Sequence, residues 1–434
     1  MAPDARPLLP SPSTPSISKK QLAGFFIAGT KETVVSLSLA PSHSRSSDTH
    51  SLPLSLSLSL SLGLFNNFPY VVMLSAALSL VGDSVPPSVV LIADILPGFL
   101  TQLAAPWFAD AFSYRSRIVT ATILNVTSLL VAGLGTNTGI RLLGVAAASV
   151  ASAFGELTFL AYSAHFHRNA VSAWSSGTGA AGVAGAAIYL VLSLYFSNQT
   201  TMIMSAPLGL FVFLAFQFII GRPAVGLVPD GPREVEEAEA EPETTDTKDH
   251  DSLTPLTVSE KLRVLRQLTP YLWALGSVYF FEYMINQSVD PVLVFPNSTL
   301  IPEKHQYTSY QLAYQIGVFV SRSSVNVLPI PSVWWLQIPS LLQAVNCVVL
   351  SWAAIHNFLP GVAAALAIIV FEGLMGGAVY VNTFMLIRSP SSRLHGKAKE
   401  FALGATSQSY GFAITLAGVI GLYWTPFLSR HADM

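Results

Sequence analysis

Eleven stretches of this chain are long enough, or nearly long enough, to cross a bilayer, and they carry very few charges. A membrane-spanning helix needs about 20 mostly apolar residues. Ten are clear, near residues 88–107, 117–134, 141–163, 176–196, 202–221, 269–288, 311–329, 332–353, 359–386 and 401–427. An ordinary soluble domain is excluded. Charged residues make up 11% of the chain and apolar ones 51%, where a soluble protein has about 25% charged residues. Backbone groups in lipid must be satisfied within the segment, so the chain reads as an all-α integral membrane protein with about 11 transmembrane helices. The net charge of −2 leaves no nucleic-acid footprint. The single cysteine, Cys347, allows neither an intrachain disulfide nor a cysteine zinc site, and no cofactor is expected.

The first span is broken. Leu22–Gly29 is apolar but short, Leu64–Val81 is long enough, and Thr30–Leu62 between them is Ser-rich and ends in SLPLSLSLSLSL. Leu/Ser alternation is nominally a strand pattern, but a lone strand beside a helical bundle has no backbone partner. Leu-Ser repeats are also what a CTCTCT tract encodes. Residues near 30–62 therefore read as an anomalous insert, either a translated intron or a polar loop. The intron reading expects a mature message that lacks the tract. Without the insert, residues 21–29 run directly into LFNNFPYVVMLSAA as one helix.

A second break, residues 222–262, is acidic, Pro-containing and poor in apolar residues, the composition of a disordered loop. It divides the chain into a six-helix bundle over 21–221 and a five-helix bundle over 263–434, behind a disordered tail at 1–20. Two helical halves joined by a central cytosolic loop are the pattern of a major-facilitator-like two-bundle fold. With the N-terminus in the cytosol, seventeen of the 22 Lys and Arg residues fall on cytosolic segments and only Arg141, Lys304 and Arg430 opposite, with two in the insert. That bias follows the positive-inside rule. The sequons at Asn198 and Asn297 then lie on the luminal side, open to glycosylation, whereas the one at Asn125 lies inside a span.

Ionisable groups inside a span cost at least a few kcal/mol and normally face a cavity or a partner. Four carboxylates qualify: Asp94, Glu156, Glu282 and Glu372. Glu282 has Asn286 one turn on and is flanked by Tyr279 and Tyr283. Glu372 stands beside Gly373, Gly376 and Gly377, which allow close helix approach. Each can serve as a substrate or proton group, or as a silent hydrogen-bonding carboxyl. For Asp94, local polar capping near Pro97 competes with function. For Glu156, beside Gly155, the rival role is a packing contact. Gln311, Gln315 and Arg322 share a helical face. Arg322 can bind an anion or pair with a carboxylate, or snorkel to the cytosolic interface. The halves echo each other weakly, in FGELTFLAYSA around Glu156 and FEGLMGGAVYVNTF around Glu372. No nucleophile–base pair, HExxH or phosphate-binding GxxxxGK[ST] occurs, so the chain does not read as an enzyme. Asp4, Leu8 and Leu9 fit the acidic dileucine form that sorting adaptors read.

LFNNFPYVVMLSAA, LIADILP, GELTFL, WSSGTGAAG, FFEYMINQ, YQLAYQIGVFVSRSS, EGLMGGAVYVNTF and EFALGATSQSYGF, in this order, resemble the battenin family of lysosomal and vacuolar multi-pass membrane proteins. The resemblance runs from about Leu64 to the C-terminus and breaks at Thr30–Leu62. It implies a major-facilitator-like bundle in the vacuolar or lysosomal membrane. It also implies involvement in vacuolar pH homeostasis and in movement of basic amino acids such as arginine, or of glycerophosphodiesters. Glu282 and Arg322 become expected functional positions. The expected function is a transporter whose pathway includes Glu282, Glu372, Arg322, Asn286, Gln315, Tyr283, Asp94 and Glu156. The alternative is a non-transporting scaffold that regulates trafficking or the vacuolar proton pump.

Overall fold

The computed structural model describes residues 51–81, 87–165, 169–193, 195–220, 256–389, 392 and 394–432. The dileucine signal (Asp4, Leu8, Leu9), residues 21–50 and nearly all of the acidic loop lie outside the described residues.

Among the described residues the chain is helical. The helices are α1 (Ser51–Val81), α2 (Pro87–Phe108), α3 (Tyr114–Leu134), α4 (Thr138–Tyr162), α5 (Asn169–Ser193), α6 (Asn198–Ser205), α7 (Leu210–Ile220), α8 (Val258–Met284), α9 (Glu303–Ser323), α10 (Gln337–His356), α11 (Val362–Arg388), α12 (Gly396–Ala405) and α13 (Ser407–Ala432). α6 continues through a 3₁₀ turn, Ala206–Gly209, into α7, and α13 follows α12 almost without a break. The thirteen helices therefore make eleven rods. Polar caps set several starts. Ser113 Oγ accepts from Ser116 N (3.2 Å), and Asn137 Oδ1 accepts from Ile140 N (2.9 Å). Thr257 and Glu260 form a capping box at α8. Six described helical segments are long and apolar enough by themselves to cross a membrane. α9 is not one of them, because Gln306, Gln311, Gln315 and Arg322 line it with polar groups. Large apolar side chains such as Leu134, Trp273, Leu341 and Val348 cover the outside, the surface that meets lipid.

The Leu-Ser run differs from the expectation. From Ser51 it is helical and continuous with Gly63–Val81. A helix closes its own backbone hydrogen bonds, and its serines can bond to carbonyls a turn back, so neither needs a partner in lipid. The end of the run is also packed. A Cβ on Gly177 of α5 would sit 2.1 Å from Leu60 O, and one on Gly63 would sit 2.3 Å from Trp174 O. α1 and α5 thus touch backbone to backbone across the last residues of the run.

Packing repeats between the halves. α1 lies on α5 as α8 lies on α13, α2 on α4 as α9 on α11, and α3 on α4 as α10 on α11. The seams between the halves are α5 with α9 and α2 with α13. This parallel repeat makes α4, which carries Glu156, and α11, which carries Glu372, counterparts. Polar contacts bolt one face together. Lys261 Nζ donates to Pro106 O (3.2 Å) and Trp107 O (3.3 Å), Arg388 donates to Ser163 O, and Tyr114 donates to Glu400, which Lys397 also holds at 2.9 Å. Three of the cations assigned to one side, Lys261, Arg388 and Lys397, thus sit together where the ends of α2, α4, α8, α11 and α12 meet.

Candidate functional site

Between the halves lies a cavity of about 160 Å³. It is walled by Tyr70, Tyr279, Tyr283, Tyr380 and Tyr410, and its charged members are Asp94, Glu156 and Arg322. Such a cavity is smaller than the roughly 300–1,000 Å³ of a drug-sized ligand site, so a larger solute fits only when the halves part.

Arg322 comes from the last turn of α9 and lies in the cavity instead of snorkelling to an interface. One guanidinium nitrogen donates to Thr178 Oγ1 of α5 at 2.5 Å, and another donates to the Tyr279 hydroxyl at 2.9 Å. Its carbon stands 4.1 Å from the centre of the Tyr380 ring, a cation–π arrangement. Nε has no hydrogen-bond partner among the described residues. Tyr380 in turn donates its hydroxyl to Glu156. Arg322, Tyr380 and Glu156 thus form a chain from the C-terminal half to the N-terminal half. Small residues permit it. Gly179 of α5 packs on the Phe319 Cα of α9, and a Cβ on Gly155 would sit 1.9 Å from Asn66 Oδ1. Gly155 therefore carries the packing contact, while Glu156 beside it faces the cavity.

Asp94 is 3% exposed. Its Oδ2 accepts from the Tyr70 hydroxyl at 2.9 Å, and its Oδ1 has no hydrogen-bond partner among the described residues. It faces the cavity and bonds to α1, a different role from capping near Pro97. Gln315 borders the seam, not the cavity: a Cβ on Gly182 of α5 would lie 2.1 Å from Gln315 Oε1. The other seam repeats this, with Gly411 of α13 equally close to Gln102 of α2, whose amide donates to the Tyr410 hydroxyl at 3.0 Å. Two glutamines against two glycines, one pair per seam, are a mark of the repeat that sequence reading missed.

Glu282, Asn286 and Glu372 do not join the cavity, although sequence reading groups them with it. They lie inside the C-terminal half. Asn286 Nδ2 donates to Glu372 Oε1 at 2.9 Å, Gln311 Nε2 donates to Asn286 Oδ1 at 3.0 Å, and Tyr314 donates to Glu282. A Cβ on Gly376 would fall 1.6 Å from Glu282 Oε2, so that glycine makes room for the carboxyl. Tyr283 faces the cavity while Glu282 does not, because consecutive helical residues point about 100° apart. Asn297 is exposed on the α8–α9 connection, whereas Asn198 opens α6 and accepts from the Tyr189 hydroxyl at 3.0 Å. Asn125 is fully buried in α3.

The family model for the CLN3 protein matches residues 59–431. The chain belongs to the CLN3 protein family. Protein BTN1 of Chaetomium globosum is 35% identical, over 99% of this chain and 96% of its own length. Battenin of Canis lupus familiaris is 36% identical, over 84% of this chain and 89% of its own length. Protein BTN1 of Saccharomyces cerevisiae is 36% identical, over 85% and 93% respectively. Among solved structures, the crystal structure of the major facilitator superfamily transporter FucP in the outward conformation aligns with a TM-score of 0.51 at 14% identity, covering 89% of this chain and 99% of that one. That likeness establishes the fold. This CLN3-family chain is thus a multi-pass, all-α, transporter-like membrane protein with a major-facilitator-like architecture. The CLN3-family match begins at residue 59, inside the Leu-Ser run.

Proposed function

We propose that this CLN3-family protein is a carrier of the vacuolar or lysosomal membrane. It moves a small solute bearing both a negative and a positive group, in proton-coupled fashion, and so contributes to vacuolar pH homeostasis. Basic amino acids of the arginine class and glycerophosphodiesters with a cationic head both answer this description. The observation that carries the reading is the Arg322–Tyr380–Glu156 chain across the cavity between the halves. Arg322, with its Nε unused, meets a carboxylate or phosphodiester, since planar guanidinium suits both. Asp94, Glu156 and the tyrosine faces meet the cationic end. The contacts that bolt the basic face hold that side shut, and alternating access then consists of breaking them and closing the opposite side.

The test is metabolite profiling of purified vacuoles with and without the protein, followed by uptake of each changed species into proteoliposomes. The expected result is saturable uptake of a zwitterionic or cationic solute, faster with a proton gradient, and lost in Glu156→Gln. Uptake confined to neutral solutes, or absent altogether, would overturn the reading. Deletion of residues 222–255 is expected to leave flux intact. If that deletion instead removes the pH phenotype from a protein with no flux, the scaffold alternative holds.

Sidedness has its own check. With the basic face in the cytosol, Asn297 is luminal and exposed. Asn297→Gln is expected to abolish most of the glycosidase-sensitive mass shift on a denaturing gel. An unglycosylated wild type whose Asn297, replaced by Cys, is labelled from the cytosol would reverse the orientation.

A further inference from the structure

On α8 and its extension, Tyr279, Glu282, Asn286 and Asp290 recur at spacings of three and four, a single helical stripe. It leaves the solute cavity at Tyr279, whose hydroxyl takes Arg322, and runs to Asp290 at the far end. Past Met284 the backbone widens into a π-helical turn, Ile285–Val289, a feature that concentrates at functional sites. Every member beyond Tyr279 is nearly sealed: Glu282 is 1% exposed, Asn286 3%, Asp290 1% and Glu372, opposite on α11, 0%. Among the described residues, Glu282 Oε2, Glu372 Oε2 and both oxygens of Asp290 have no hydrogen-bond partner.

Four unpartnered carboxyl oxygens in a low-dielectric interior call for a ligand, because leaving them so costs several kcal/mol. The ligand is a cation or a proton. Among the described residues no three His, Cys, Asp or Glu side chains are placed to hold a metal ion, whereas a proton needs only a single free carboxyl oxygen. A way in exists. Asp290 borders a pocket of about 500 Å³ formed with Pro302, Glu303, Gln306 and Tyr307 at the α8–α9 connection. Lys261, near the start of α8, lies on the basic face. Asp290 is 29 residues further on, about 40 Å at 1.5 Å per residue. The pocket is therefore on the opposite face, with Asn297.

We propose that Asp290, Glu372 and Glu282 form a proton-binding file, separate from the solute cavity and loaded from the face opposite the basic one. A proton from water in the pocket joins Asp290. Asp290 passes its proton to the free oxygen of Glu372 and takes another from the pocket. Each transfer breaks one O–H bond and forms one. Glu282 ends the file beside Tyr279 and Tyr314, the first of which holds Arg322. The titratable groups facing the file from α9 are Tyr307, Tyr310, Tyr314 and Arg322. α10 contributes Cys347, and Tyr283 adjoins the file on α8. From α13, Gly421 faces Ser288. The file rests on the carrier reading only where it is joined to transport, and its own test needs no solute.

The full-length protein is reconstituted in liposomes with pH set independently on the two sides, and treated with dicyclohexylcarbodiimide. This reagent adds to protonated carboxyls in apolar surroundings, and peptide mass spectrometry locates the adduct. The adduct on Glu372 or Glu282 is expected to fall as the pH on the Asn297 face is raised, and to ignore the pH on the basic face. Asp290→Asn loses this response after a pH jump, and Asp290→Glu restores it. An adduct that follows the basic-face pH, that ignores pH on both faces, or that sodium suppresses at fixed pH overturns the file. So does an Asp290→Glu variant that stays unresponsive while wild type responds. Loss of solute flux with the labelling pattern intact would sink the carrier reading and leave the file standing.

Discussion

Uptake by reconstituted protein is expected to fall at least about 30-fold in Arg322→Gln, and Arg322→Lys is expected not to restore it. The guanidinium makes three contacts from three different elements: Thr178 on α5 at 2.5 Å, Tyr279 on α8 at 2.9 Å and the Tyr380 ring on α11 at 4.1 Å. Truncating one partner of a buried hydrogen-bonded charged contact costs about 2–5 kcal/mol, and about 1.4 kcal/mol is a factor of ten. Lysine keeps the charge but is a compact ammonium on a flexible stem. It cannot reach Thr178 and Tyr279 together while lying flat on Tyr380. The measurement is the initial uptake rate, normalised to protein recovered as a single peak in gel filtration. An Arg322→Lys rate equal to wild type would mean that only a positive charge is needed, and the specific geometry at Tyr380 would lose its role.

All the charged members of both sites except Asp290 were visible in the sequence for one physical reason: an ionisable side chain in an apolar span is expensive and rarely idle. Asp94, Glu156, Glu282, Glu372 and Arg322 stand out on that ground. Their partition was not visible. Glu282 and Tyr283 are neighbours in sequence, yet one sits in the C-terminal half and the other in the cavity. Only the rotational setting of α8 against α11 and α2 decides which does which. That setting depends on Gly376, which yields space to the Glu282 carboxyl. Arg322 illustrates the opposite error. The charge bias across the membrane favours an interfacial arginine, but its turn of α9 lies beneath α5, where Gly179 lets the Phe319 backbone come close and Thr178 offers a hydroxyl. Asp290 was legible in principle, since it continues the stripe of Glu282 and Asn286 by one further turn. It lies just past the expected end of the span at 288 and so reads as loop. The π-turn that carries the helix on to it has no simple sequence signature. The helical course of the Leu-Ser run was hidden for a related reason: its period of two is that of a strand, and the close contact of Leu60 with Gly177 that packs it as helix lies far away in sequence.

Gly373→Ala is expected to cost about 3 kcal/mol or more, whereas Gly139→Ala is expected to be neutral or slightly favourable. A Cβ on Gly373 would lie 2.2 Å from Tyr314 O, and one on Gly317 across the crossing would lie 2.3 Å from Val370 O. Both obstacles are backbone, so no side chain can swing aside, and α9 must separate from α11. Overpacking alone costs about 1–3 kcal/mol. Separation also breaks the contact of Ser321 Oγ with Gly373 O at 3.4 Å across that crossing, and it draws Tyr314 of α9 away from Glu282 of α8. Gly139 is exposed in the first turn of α4, where the nearest atom to a new Cβ is Asn137 Oδ1 at 3.4 Å. There alanine gains about 0.5–1 kcal/mol from backbone entropy alone. Thermal unfolding followed by gel filtration separates the two cases, with Gly373→Ala melting several degrees lower at about 2–4 °C per kcal/mol. Because Arg322 stands five residues beyond Gly317 on the displaced helix, uptake should fall along with the melting temperature. Equal melting of the two variants would show that α9 and α11 can part freely. The precise seating of Arg322 in the cavity, and of Glu282 in the carboxyl file, would then rest on some other contact.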